Sequence, residues 1–200
     1  MDSLPDITFW DSIEWISVIL SLSYIWLVSR ENILCWPIGI LSSVLSILLF
    51  IHVGLYSESI LYFVYVLAGV YGWIVWAEGG VGMEEGQEGF AITNWKVTKI
   101  VLSVLAAALA GLGLGVAMDR HTDASNPWID AQTTALGLLA TYLEIHKILF
   151  AWILWGVING TSIWLYISRG LSIYAVLMLV YFALSFAGYW RWNKRMKADV

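Results

Sequence analysis

The chain has 200 residues, of which 60% are apolar and only 12% charged, with a mean hydropathy of +0.77 and a formal net charge of −5. A soluble domain carries about 25% charged residues, and a chain this size has too few polar side chains to face water all round. A soluble enzyme and a disordered tail are thereby excluded, and the acidic balance offers no basic surface for nucleic acid.

A membrane-crossing helix needs about 20 apolar residues. Runs of that length lie at about 13–29, 33–51, 58–77, 96–118, 129–145, 149–167 and 172–190. They predict one all-α integral membrane domain over 1–200 with seven transmembrane helices, because backbone polar groups in lipid must satisfy one another. The first run follows an acidic stretch (Asp2, Asp6, Asp11, Glu14), the opposite of the basic opening of a cleavable signal peptide. The second opens as Cys35-Trp36-Pro37-Ile38-Gly39, where the proline marks either a helix start or a bend. Cys35 is the lone cysteine, so no internal disulfide forms. The third run carries Tyr62 and Tyr65 and is followed by a Gly/Glu-rich solvated loop at 78–90 with Glu84, Glu85 and Glu88. The fourth is poor in aromatics (AAALAGLGLG). The fifth holds Gln132 and Thr133 in its outer part, the sixth the tryptophan-rich stretch 152–159, and the seventh Tyr181.

Lysine and arginine set the orientation. With the N-terminus outside, the inner loops receive Arg30, Lys96, Lys99, Lys147, Arg191, Lys194, Arg195 and Lys197, and the outer ones only Arg120 and Arg169. The expected topology is N-outside, C-inside. Trp73, Trp76, Trp190 and Trp192 then fall at the inner interface, where an aromatic belt is expected.

Residues 11–76, shifted by 116 positions onto 127–192, are identical at 16 of 66 places without a gap. The informative pairs are Trp36/Trp152, Gly54/Gly170, Leu55/Leu171, Tyr65/Tyr181, Gly72/Gly188 and Trp76/Trp192. Each copy holds three helices: a first repeat at about 11–77 and a second at about 127–192, joined by a linker helix at about 94–118. An odd linker lets both copies enter the membrane with the same polarity, a 3+1+3 parallel repeat. Many transporters place their site near mid-membrane between such repeats.

Trp152-Ile-Leu-Trp155-Gly-Val-Ile-Asn159 places two indoles and an amide on one helical stripe. An amide that deep needs a partner or a wet cavity. Gly156 and Gly160 are expected to admit a close neighbouring helix. The matching stripe of the first copy is Trp36, Gly39 and Ser43, so the pseudo-symmetry is broken, as an asymmetric ligand requires. Together with Tyr65, Tyr181 and Gln132, these residues suit a flat ring bearing hydroxyls, and a cationic ring would favour tryptophan. No Asp, Glu, Lys, Arg or His stands clearly at mid-span; Glu58, Asp130 and Glu144 lie near helix ends. A proton or sodium relay usually needs such a group, so a carrier without ion coupling is expected. No His/Glu/Cys cluster suggests a metal, no cofactor is called for, and no nucleophile–base pair points to an enzyme.

The stripe Trp152–Asn159, the Gly-Leu-Tyr turn at 54–56 and Tyr71-Gly72-Trp73-x-x-Trp76 resemble the Pnu vitamin transporters over about residues 12–195. The likeness is greatest to the nicotinamide riboside carriers of bacterial inner membranes. The resemblance implies a SWEET-like fold of 3+1+3 helices. It implies uptake of nicotinamide riboside by facilitated diffusion through alternating access, with phosphorylation by a cytosolic kinase to trap the substrate. It implies Trp152, Trp155 and Asn159 as binding residues, with Trp36 beside them, and a possible homotrimer. The same scaffold serves carriers of thiamine, riboflavin or sugars. A seven-helix sensor is the remaining alternative, and the short inner loops disfavour it.

Overall fold

The computed structural model describes residues 9–52, 56–79, 90–122, 126–168 and 172–198. Seven helices occupy most of them: α1 (Phe9–Val28), α2 (Cys35–His52), α3 (Tyr56–Ala77), α4 (Val97–His121), α5 (Pro127–Ile145), α6 (Phe150–Ser168) and α7 (Ser172–Ala198). Six are long and apolar enough to cross a membrane; α5 falls short. It carries Asp130, Gln132, Thr133, Thr134, Thr141 and Glu144, and it buries Ala131, Gly137, Ala140, Thr141, Leu143, Glu144 and Ile145 inside its unit. A helix enclosed by others can hold polar groups that a lipid-facing one cannot. Gly54, Leu55, Arg169, Gly170, Leu171, Asp2, Asp6, Glu84, Glu85 and Glu88 lie outside the described residues.

Two edges differ most from expectation. α1 begins at Phe9 rather than about 13, and α7 runs on to Ala198 rather than ending near 190. The added turns of α7 hold Arg191, Lys194, Arg195 and Lys197, cations that a helix C-terminus favours.

The chain forms two compact units, 1–81 with α1–α3 and 82–200 with α4–α7. In the first, α1 and α2 meet through serines. Ser42 donates to the Ser17 carbonyl at 2.9 Å and lies 3.0 Å from the Ser21 hydroxyl, which itself donates to Ser17 O. Small hydroxylated residues let helix backbones approach in lipid, where packing replaces the hydrophobic drive. Trp36, 1% exposed, lies across Gly72 of α3 and meets the Trp76 ring edge-on at 5.3 Å and 88°. Pro37 sits in the first turn of α2, where a missing N–H costs nothing, so it marks the helix start and makes no bend.

In the second unit α4 packs along α5. Gln132 donates its amide to the Ala108 carbonyl at 3.1 Å over Gly111, and Trp128 lies on Gly115. The small residues of α4 thus receive the large side chains of α5. Before α4, Thr93 bridges the α5–α6 turn, donating to Lys147 O at 3.1 Å and accepting from Leu149 N–H at 3.0 Å. α6 and α7 are locked as α2 and α3 are: Trp152 lies on Gly188 and meets Trp192 edge-on at 5.3 Å and 88°.

The turns repeat as well. Among the described residues, Glu31 and Lys147, 116 positions apart, are the non-glycine residues of positive φ, at 56° and 49°. The bonds Asn32 N–H to Leu27 O and Cys35 N–H to Asn32 O recur as Ile148 N–H to Leu143 O and Ala151 N–H to Ile148 O.

Two expectations are corrected. Trp76 and Trp192 are buried partners in these locks, so only Trp73 and Trp190 of the four expected belt residues face outward. Gly156 meets nothing within 4 Å, and Gly160 only the Phe182 ring at ordinary contact, so neither is a close crossing point. Among the described glycines the tightest positions are Gly72 and Gly188.

Cations lie over tryptophans at helix ends: Arg30 over Trp26 at 3.9 Å, Lys99 over Trp95 at 3.6 Å and Lys194 over Trp190 at 5.8 Å. Near Lys99, His146 follows α5 with its ring 4.5 Å from Tyr142. Burial first, and the Lys99 charge second, lower its pKa from the ordinary 6.5. The unfolded chain therefore binds this proton more readily than the folded one, so the stability His146 contributes is complete above about pH 6.5 and is lost as pH falls below it. The melting temperature is expected to fall between about pH 7.5 and about pH 5.5, and less steeply in His146→Gln. Parallel melting curves for both proteins would remove His146 from the cause.

Candidate substrate site

Polar groups of the second unit gather along α6, which packs against both α5 and α7. Trp155, half-buried, packs on the side of α6 that faces α5, against a cluster that includes Ala140, Leu143, Ala151 and Ile158. Its indole N–H donates to Glu144 Oε2 at 2.7 Å. One turn on, Asn159 is 7% exposed and donates its amide to the Ser185 hydroxyl of α7 at 3.3 Å. Ser185 in turn donates to the Tyr181 carbonyl at 2.8 Å. This one bond from Nδ2 leaves the Asn159 carbonyl oxygen and a second amide hydrogen without a partner among the described residues. An amide so placed can read both a donor and an acceptor on a ligand.

The eight expected site residues divide between the units. Trp36, Ser43 and Tyr65 belong to the first; Gln132, Trp152, Trp155, Asn159 and Tyr181 to the second. Trp155 and Asn159 stand near one another with defined polar partners. Trp152 does not share their surroundings: it is 1% exposed, clamped by Gly188 and Trp192, and its indole N–H is buried without an acceptor, as is that of Trp36. Each orphaned N–H gives up about 1–3 kcal/mol, which the ring packing in both units outweighs. Gln132 is engaged by α4. Tyr65 is half-buried with its ring edge-on to Tyr62 at 5.7 Å, and Ser43 is buried. Tyr181 reaches the cluster through its backbone carbonyl.

Two members of the cluster were not foreseen. Glu144 reads as an interfacial residue from its place near a helix end, and Ser185 is one serine among many. The available signal is the internal alignment. Glu144, Trp155, Asn159 and Ser185 match Val28, Gly39, Ser43 and Gly69. In the first unit the Tyr24 ring covers Gly39; in the second, Tyr24 is matched by Ala140 and the bulk comes from Trp155 instead. The bulk is supplied in both copies, while the indole and its carboxyl acceptor occur in one.

A groove of about 770 Å³ opens between α6 and α7, walled by Gly156, Gly160, Phe182 and Ser185. Trp155 and Asn159 do not line it. Ser185 is the point at which the groove and the polar cluster touch.

Residues 11–194 match the family described as Nicotinamide mononucleotide transporter. The chain belongs to that family. This transporter-family chain is 24% identical over 207 residues to the nicotinamide riboside transporter PnuC of Escherichia coli (strain K12), a match covering 89% of the chain and 84% of the relative. The PnuC of Shigella flexneri matches equally, at 24% over the same length. A crystal structure of the vitamin B3 transporter PnuC superposes with a TM-score of 0.75 at 22% identity, covering 98% of this chain and 85% of the other. That likeness establishes a shared fold. The protein is a multi-helix membrane transporter of this family.

Proposed function

We propose that the protein takes up nicotinamide riboside by facilitated diffusion, with Trp155 stacking on the pyridinium ring and Asn159 bonding its polar groups. The observation that carries this reading is the pairing of a half-buried indole with an amide that keeps a donor and an acceptor open, in one copy only of a pseudo-repeated chain. Tryptophan is the best aromatic partner for a cationic ring. The names of the curated relatives support the choice of vitamin. The matched turns, Trp–Gly–Trp locks and 116-residue offset support a 3+1+3 parallel repeat and transport by alternating access. The excess of Lys and Arg in alternate loops supports an N-outside, C-inside orientation in a bacterial inner membrane. A cytosolic kinase that phosphorylates the riboside keeps the gradient inward.

Counterflow of labelled nicotinamide riboside in liposomes, with no ion gradient, tests this reading. Accumulation is expected against unlabelled riboside inside, and little against thiamine or riboflavin. An obligatory proton or sodium gradient would overturn uniport; counterflow with thiamine alone would move the substrate.

A further inference from the structure

Glu144, more deeply buried than Lys147, is an ionisable group that the transport reading leaves without a task. It is 2% exposed in the last turn of α5, where the helix dipole disfavours a negative charge. Burial disfavours the charge again. A carboxyl group kept against both terms has work among its contacts, and one of those contacts is Trp155, whose indole N–H donates to Oε2 at 2.7 Å, the short end of the N–H···O range. The first unit strengthens the connection. Where Trp155 becomes Gly39, Glu144 becomes Val28. Indole and acceptor are present together in one copy and absent together in the other, while the volume is filled there by Tyr24. The bulk of the ring therefore does not require the carboxylate; its N–H does.

We infer that Glu144 is a positioning residue for substrate recognition: its carboxylate fixes the plane of the Trp155 indole so that the open part of the ring meets the substrate. An unanchored tryptophan turns about two side-chain torsions, and a stacking platform must be held still before the ligand arrives. Glu144 acts through Trp155 and need not touch the substrate. The inference rests on Trp155 contacting the substrate, as proposed above.

The test is zero-trans uptake of labelled nicotinamide riboside by the full-length protein in liposomes, with size-exclusion profiles as the folding control. Glu144→Gln keeps an oxygen acceptor and is expected to hold KM within about threefold of wild type. Glu144→Leu keeps the volume without the acceptor and is expected to raise KM about tenfold, the worth of one such bond, with the maximal rate within about twofold. Trp155→Phe keeps a ring without the N–H; in that background Glu144→Leu is expected to add less than about twofold, because the bond is already gone. Should Glu144→Leu fail to fold, Trp155→Phe alone carries the test, with KM expected to rise about tenfold beside an intact carboxylate. Wild-type KM in Glu144→Leu, equal losses in the Gln and Leu variants, or multiplying losses in the double variant would each overturn the positioning role. Wild-type KM in Trp155→Ala would overturn the substrate reading itself and this role with it.

Discussion

Gly188→Ala is expected to lower the melting temperature well below that of the wild type. A methyl group on Gly188 overlaps the six-membered ring of Trp152 at three atoms. That ring cannot retreat, because it is 1% exposed and meets Trp192, which is 0% exposed, edge-on. Overpacking typically costs about 1–3 kcal/mol, and more where the neighbour cannot rotate away. Against a total stability of about 5–15 kcal/mol, this is a large fraction. Gly72→Ala should do the same through Trp36 in the first unit. Gly156→Ala is the control: the site is open space, and alanine favours the helix by about 1 kcal/mol. Its melting temperature is expected to equal or exceed wild type. The measurement is thermal unfolding in detergent followed by the monodisperse peak. A wild-type melting temperature for Gly188→Ala would show that the α6–α7 crossing relaxes freely, and Trp152 would lose its standing as the lock.

These locks mark how far the amino-acid sequence reaches. Helix spans depend on how many apolar residues stand in a row, and Trp36, Gly72 and Trp76 recur at 152, 188 and 192 whatever the side chains contact. Both are visible in one dimension. The task of each tryptophan is not, because it depends on which face of a helix meets which neighbour. Trp73 and Trp76 are three residues apart, yet one faces outward and the other is clamped against Trp36. Trp152 and Trp155 stand at the same spacing, and again one is locked and the other bonded to a carboxylate. Glu144 shows the limit most sharply. Charge near a helix end normally turns to the interface, whereas this one is buried and bonded to Trp155 of α6.

The substrate reading stands or falls on the other indole. Trp155→Ala is expected to weaken riboside binding roughly thirtyfold, corresponding to about 2 kcal/mol for a desolvated cation over tryptophan. Asn159→Ala removes neutral hydrogen bonds worth about 1 kcal/mol, so its loss should be smaller, roughly fivefold to tenfold. Stability should move less than in Gly188→Ala, because Trp155 is only half-buried and Asn159 makes a single long bond to Ser185. Calorimetry on purified variants, corrected for the folded fraction, reads both. A neutral analogue adds a sharper comparison. If charge over the ring carries the affinity, Trp155→Ala should cost the cationic riboside several times more than it costs neutral nicotinamide. Asn159→Ala should cost the two alike to the extent that both present a carboxamide. Equal losses for both ligands in Trp155→Ala would reduce the indole to an apolar wall. Wild-type affinity in both variants would move the site off α6 altogether.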